Sequence, residues 1–142
     1  MMKIFSTLLV AVTAAVLLGL SAPAPPAEAA GWERIHAAEL EAMIEEGGED
    51  LVIVDVREPW LYREGHVPGA VNIPFDGAHE RVLDELDPGE RIVFVCHGGP
   101  MGDELGALLT SKGYGKVYNL IGGMRAWDGP LESGESGEGG SE

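Results

Sequence analysis

Arg91-Ile92-Val93-Phe94-Val95-Cys96-His97-Gly98-Gly99-Pro100-Met101-Gly102 is apolar from Ile92 to Val95, then breaks at a cysteine, a histidine, two glycines and a proline. An unbroken apolar run of this kind reads as a strand buried on both faces of a parallel sheet. Cys96 is read as its last residue. The segment His97-Gly98-Gly99-Pro100 is expected to form no regular structure. From Gly102 a helical pattern resumes, with Leu105, Leu108 and Leu109 on one face, and Gly113 ends it. The order is therefore strand, tight loop, helix, with a thiol at the turn. In open α/β sheets the carboxyl ends of strands are where ligands bind.

Working outward, Leu51-Val52-Ile53-Val54-Asp55-Val56 is a second continuous apolar run and a second central strand. Ahead of it, residues 32–35 suit a short strand. Residues 36–46 suit a helix carrying Leu40, Met43 and Ile44, stopped by Gly47-Gly48. Residues 59–64 allow one short helical turn, residues 70–73 a short strand, and residues 76–86 a helix closed by Asp87-Pro88-Gly89. Beyond the cysteine segment, residues 117–120 form a last strand and Gly122-Gly123 breaks it. Residues 124–127 can start a terminal helix. Alternating strands and helices imply an α/β fold, a parallel sheet with helices on both faces.

The ends carry different information. Met1 to Lys3 is a short positive region, residues 4–20 are almost wholly apolar, and Ala27-Glu28-Ala29 supplies small residues where a signal peptidase reads them. Residues 1–29 are therefore expected to be a cleaved signal peptide, and the chain to be periplasmic or secreted, with no stable membrane association after cleavage. The alternative is an uncleaved anchor, because the apolar run reaches the lower end of the spanning range of roughly 17–25 residues. The domain is expected over residues 30–131. Residues 132–142 contain only Glu, Ser and Gly and are expected to be a disordered acidic tail.

The chain has 142 residues and a formal net charge of −15. That balance excludes nucleic acid, whose phosphates need clusters of Lys and Arg, and opposes anionic membrane surfaces. The sequence gives no reading of oligomeric state. The four histidines, His36, His66, His79 and His97, show no metal-ligand spacing, and no metal site is expected. His36 is read as close to a helix start, and His66 as serving backbone groups in a turn. Trp60 and Trp127 are read as packing anchors.

The chain has one cysteine, so no internal disulfide can form. Gly98 and Gly99 let the backbone adopt conformations closed to other residues. Such a loop can turn several N–H groups inward as an anion-binding nest, and the following helix adds its positive end. Both favour negative charge on the sulfur, which makes Cys96 a candidate nucleophile. The competing reading is a packed strand-end cysteine beside an ordinary glycine turn. Spacing alone leaves both open.

Three stretches resemble the rhodanese family. Asp55-Val56-Arg57-Glu58, with Glu64-Gly65-His66-Val67-Pro68-Gly69-Ala70-Val71-Asn72-Ile73-Pro74, is similar to its amino-terminal signature. Gly122-Gly123-Met124-Arg125-Ala126-Trp127 is similar to its carboxyl-terminal signature. Val95-Cys96 through Gly113-Tyr114 resembles the active-site strand, loop and helix without a gap. The resemblance covers about residues 33–131. It implies a three-layer fold with a five-stranded parallel sheet. It also implies transfer of a sulfane sulfur through a persulfide on Cys96, with no metal or organic cofactor. The implied partners are a small sulfur donor, thiosulfate or a persulfide, and a thiol or cyanide acceptor.

By the same resemblance, the loop Cys96, His97, Gly98, Gly99, Pro100, Met101 and Gly102 binds substrate. Asp55 and Arg57 form a pair near the active-site face, with a structural hydrogen-bond network the favoured role. Many active members end the loop with Arg or Lys followed by Ser or Thr. Here Met101 and Gly102 stand there, and Met101 cannot hold dianionic thiosulfate. Asp103 and Glu104 add negative charge, leaving His97 as the one ionisable neighbour able to be positive. Thiosulfate-to-cyanide transfer is therefore expected to be weak. A cysteine phosphatase or arsenate reductase would need an Arg closing a longer loop. A non-catalytic binding module would fit the missing cation, though not the retained cysteine and glycines. A thiol forming mixed disulfides would lack a resolving partner in the chain.

Overall fold

A computed structural model of the protein describes residues 31–134. Five strands, β1 (Glu33–Ile35), β2 (Leu51–Asp55), β3 (Val71–Asn72), β4 (Arg91–Val95) and β5 (Val117–Leu120), form one sheet in the order β1-β5-β4-β2-β3. Every pairing is parallel. Four helices join them: α1 (Ala37–Glu46), α2 (Pro59–Glu64), α3 (Ala78–Glu85) and α4 (Pro100–Ser111). The two strongest apolar runs, β2 and β4, are neighbours in register, with Ile53 opposite Val93 and Asp55 opposite Val95.

The two-residue alternation of a strand explains why those runs are apolar throughout. Ile92, Phe94 and Cys96 face one core with Val82 of α3 and Leu105 and Leu109 of α4. Val93 and Val95 face a second core with Leu40 of α1 and Tyr62 of α2. Helices thus cover both faces, and the three-layer α/β expectation holds.

Several local expectations need correction. β1 starts at Glu33 rather than residue 32, β2 ends at Asp55, and β3 is only Val71–Asn72. Helix α3 occupies Ala78–Glu85 within the longer span expected. Pro100, Met101 and Gly102 are not in the loop: they are the first three residues of α4, and at the first of these positions proline's missing N–H removes nothing the helix uses. Residues 124–127 do not start an α-helix, since Gly123–Arg125 form a single 3₁₀ turn. Trp127 is buried at 8% exposure, as expected, but Trp60 is 55% exposed and anchors nothing in the core. In α2 the inward position belongs to Tyr62, and residues two apart on a helix point to nearly opposite sides.

The acidic tail also departs from expectation where it begins. Glu132 and His66 form an antiparallel bridge, each N–H donating to the other's carbonyl at 2.9 Å. Gly134 N–H donates to the Arg63 carbonyl at 2.9 Å. Glu132 to Gly134 are thus fixed to the domain, and the rest of the expected tail lies outside the described residues. So does the expected signal peptide. Among the described residues no helix is long and apolar enough to cross a membrane.

Candidate active site

Strand β4 delivers Cys96 to the carboxyl edge of the sheet, between β2 and β5. The Gly99 N–H donates to Cys96 Sγ at 2.8 Å. Gly99 does so at φ +122°, a conformation that excludes side chains. Gly99 is also the N-cap of α4, so the sulfur sits at the amino-terminal end of that helix. The contact is narrower than a nest of several donors, because Gly99 is the N–H that reaches the sulfur among the described residues. Cys96 is 0% exposed and belongs to the core that includes Phe94 and Leu105. Features of both readings left open by the sequence, packed cysteine and held nucleophile, thus coexist.

The loop is clasped from the β5 side. The Asn119 amide donates to the Gly99 carbonyl at 2.7 Å and to Asp103 Oδ1 at 3.0 Å. Met124 N–H donates to the Cys96 carbonyl at 2.7 Å, and Arg125 N–H to the His97 carbonyl at 3.3 Å. Gly123, at φ +55°, lies so close that a Cβ there would overlap the Cys96 carbonyl. The paired glycines of the carboxyl-terminal signature thus let the 3₁₀ turn seat directly under the cysteine peptide.

On the β2 side, Asp55 and Arg57 are both buried and paired. Arg57 Nη2 donates to Asp55 Oδ2 at 2.6 Å and to the Gly65 carbonyl at 2.7 Å. The Arg57 backbone N–H also donates to Asp55 Oδ1 at 3.0 Å. Asn72 bridges the carbonyls of Asp55 and Arg57 at 2.9 and 3.0 Å. This network ties together the turn after β2, the end of β3 and the end of α2, which is a scaffold role. Beside it, a cleft of about 420 Å³ is lined by Val56, Glu58, Pro59, Pro74, Phe75 and Met101. Cys96 is not among the lining residues. The cleft reaches the first turn of α4 through Met101.

Charge around the loop differs from the sequence reading. Asp103 turns toward β1 and β5. There it accepts from Trp32 Nε1 at 2.9 Å and from Arg34 Nη2 at 2.7 Å. Chiefly through the Arg34 hydrogen bond, its pKa falls to about 2. Glu104 pairs with His79 at 2.7 Å. Asp103 is thus paired with a cation away from the loop, and Glu104 is engaged by the His79 ring. His97 lies 3.2 Å from Glu58. The Glu58 carboxyl is held below its usual range, first by its own backbone N–H and then by His97.

Two residues were missed by sequence reasoning. Asn119 is a polar residue at an inward position of an otherwise apolar strand and is only 2% exposed, a pattern that itself signals a required hydrogen bond. Arg125, in the carboxyl-terminal signature, is the other: its Nη1 lies 3.8 Å from where a Cβ on Gly98 would stand. His97 is therefore not the one cationic neighbour of the loop.

Fold and loop together define a single rhodanese-like module. The chain belongs to the rhodanese-like domain family, which matches residues 36–129. It is 35% identical over 81 residues to the thiosulfate sulfurtransferase GlpE of Pseudoalteromonas translucida, covering 56% of this chain and 75% of that one. It is 38% identical over 84 residues to YrkF of Bacillus subtilis, a protein named for a proposed sulfur-carrier role, covering 59% of this chain but only 45% of YrkF. Among solved structures, the Alr3790 protein of Anabaena aligns with a TM-score of 0.63 at 30% identity, covering 70% of this chain and 82% of that one. These similarities support membership of a sulfurtransferase family, whose reactions require a sulfur donor and an acceptor.

Proposed function

We propose that this chain is an exported sulfurtransferase or persulfide carrier that moves a sulfane sulfur through a persulfide on Cys96. The observation that carries the reading is the Gly99 N–H on Cys96 Sγ at the end of the central strand, in a family with sulfurtransferase relatives. In the loading step, the Cys96 thiolate attacks the outer sulfur of a persulfide R–S–SH. A bond forms between Sγ and that sulfur, the R–S to SH bond breaks, and its electron pair leaves as the thiolate R–S⁻. Unloading repeats the exchange onto a thiol, or onto cyanide to give thiocyanate. Each step is a displacement at sulfur that needs no external oxidant or reductant. Export rests on the sequence pattern of residues 1–29. An intact mass of the secreted chain beginning at Ala30 is the expected result.

A persulfide is the better donor, and thiosulfate a poor one, because Met101 stands where a cation would neutralise a dianion. The test is intact-protein mass spectrometry after exposure to thiosulfate or to a small persulfide, alongside a Cys96→Ser variant. A gain of one sulfur, dependent on Cys96 and larger from the persulfide, is expected. Efficient thiosulfate–cyanide turnover at low substrate concentration would defeat the donor preference. A second reading, a non-catalytic binding module, is favoured by the complete burial of Cys96. No sulfur gained from either donor would establish it in place of the first.

A further inference from the structure

Arg125 is the third residue of the 3₁₀ turn, and its backbone is fixed by the hydrogen bond to the His97 carbonyl. Its side chain runs back along the loop: Nη1 lies 3.8 Å from where a Cβ on Gly98 would stand. The residue is exposed, and among the described residues no hydrogen bond or ion pair engages its guanidinium. Four other arginines of the domain, Arg34, Arg57, Arg81 and Arg91, are each held by a carboxylate. Across the loop, His97 is occupied by Glu58, and the cleft beside Met101 is largely apolar. The loop is thus flanked by an uncommitted guanidinium on the β5 side and an apolar, acid-rimmed cleft on the β2 side.

We infer that Arg125 is a specificity-determining residue that receives an anionic group carried by the sulfur donor at a distance from its transferable sulfur. The substrate class is a carboxylate-bearing persulfide. A guanidinium presents paired N–H donors that match a carboxylate. Because Arg125 stands beside Gly98 rather than in the loop, it meets charge displaced from the reacting sulfur. This deepens the proposed function and rests on Cys96 being the sulfur acceptor.

The experiment measures sulfur gained at Cys96 against donor concentration for glutathione persulfide and for its dimethyl ester, in wild type, Arg125→Gln and Arg125→Lys. For the free acid, Arg125→Gln is expected to raise the half-saturating concentration about fivefold, the scale of one exposed charge-assisted contact, with the maximal rate unchanged. Arg125→Lys restores part of the loss. The ester loads all three proteins alike, and added salt erodes the wild-type advantage. Equal loss with acid and ester, or no loss with either, overturns the role of Arg125 while leaving Cys96 as the acceptor. Failure of wild type to load from either donor overturns both.

Discussion

Asn119 and Gly102 occupy one space: the Asn119 amide fills the volume that a Cβ on residue 102 would need. The same amide, only 2% exposed, donates to the Gly99 carbonyl and so holds the loop that carries the cysteine. Its Oδ1 is buried with no hydrogen-bond partner among the described residues, and lies against Gly102. Departure from Ser or Thr at position 102 is therefore matched by a polar side chain on β5, and the two positions are coupled.

Restoring the commoner residue should consequently harm this chain. Gly102→Ser is expected to destabilise by about 1–3 kcal/mol, the range for overfilling a packed site. Asn119→Ala should cost a similar amount by removing the buried side-chain donor shared by the Gly99 carbonyl and Asp103 Oδ1. The double variant should lose clearly less than the sum, by about 1 kcal/mol or more. Denaturant unfolding of the four proteins checks this, and strict additivity would show that the two sites do not share space.

The pH dependence of stability should carry the signature of Asp103. Its folded pKa, about 2, lies below the ordinary aspartate value of 3.8. A depressed carboxyl contributes stability above its unfolded pKa and loses it as pH falls through the folded value. The wild-type advantage over Asp103→Asn should therefore be full above about pH 5 and fade toward pH 2. Its size should be about 1 kcal/mol once screening at the exposed Arg34 is allowed for. Denaturant midpoints across that range provide the measurement, and an advantage that persists at pH 2 would contradict the assignment.

What could be read from the sequence depended on how strongly the physics is written locally. Strands β2 and β4 were legible because each is buried on both faces, so every position had to be apolar. The short edge strands were legible only in outline, since two or three residues carry no periodicity. Pro100 follows two glycines and so reads as part of an irregular segment, yet at the first helical position proline breaks nothing. The candidate site was visible as far as Cys96 and its glycines, whose spacing is local. Asn119 and Arg125 reach the loop only through strand order and the 3₁₀ turn, which sequence spacing does not encode. The bridge between Glu132 and His66 was hidden for the same reason, because a Glu-Ser-Gly composition gave no sign that a backbone partner was waiting.

Trp60 and Trp127 should respond oppositely to truncation. Trp127 packs in the core beneath β5, and its indole N–H donates to the Pro130 carbonyl at 2.9 Å. Trp127→Ala is expected to cost about 3–5 kcal/mol. Trp60 is exposed, so Trp60→Ala should change stability by no more than about 0.5 kcal/mol. Thermal unfolding of both variants is sufficient. A large loss at Trp60 would mean that the indole is covered in solution.

Arg57 tests the scaffold reading of the Asp55 pair. Both side chains are buried, and removing one partner leaves the other charge without compensation. Arg57→Met is therefore expected to destabilise by about 3–5 kcal/mol. Arg57→Lys should recover only part of this, because an ammonium cannot span both Asp55 oxygens and the Gly65 carbonyl as the guanidinium does. The decisive comparison is Cys96 loading per folded molecule, measured on the Arg57→Lys protein at a temperature where it remains native. A scaffold pair leaves the loading rate near that of wild type while the unfolding midpoint falls. A loading rate that collapses in a folded Arg57→Lys protein would move Arg57 from the scaffold into the chemistry of the loop.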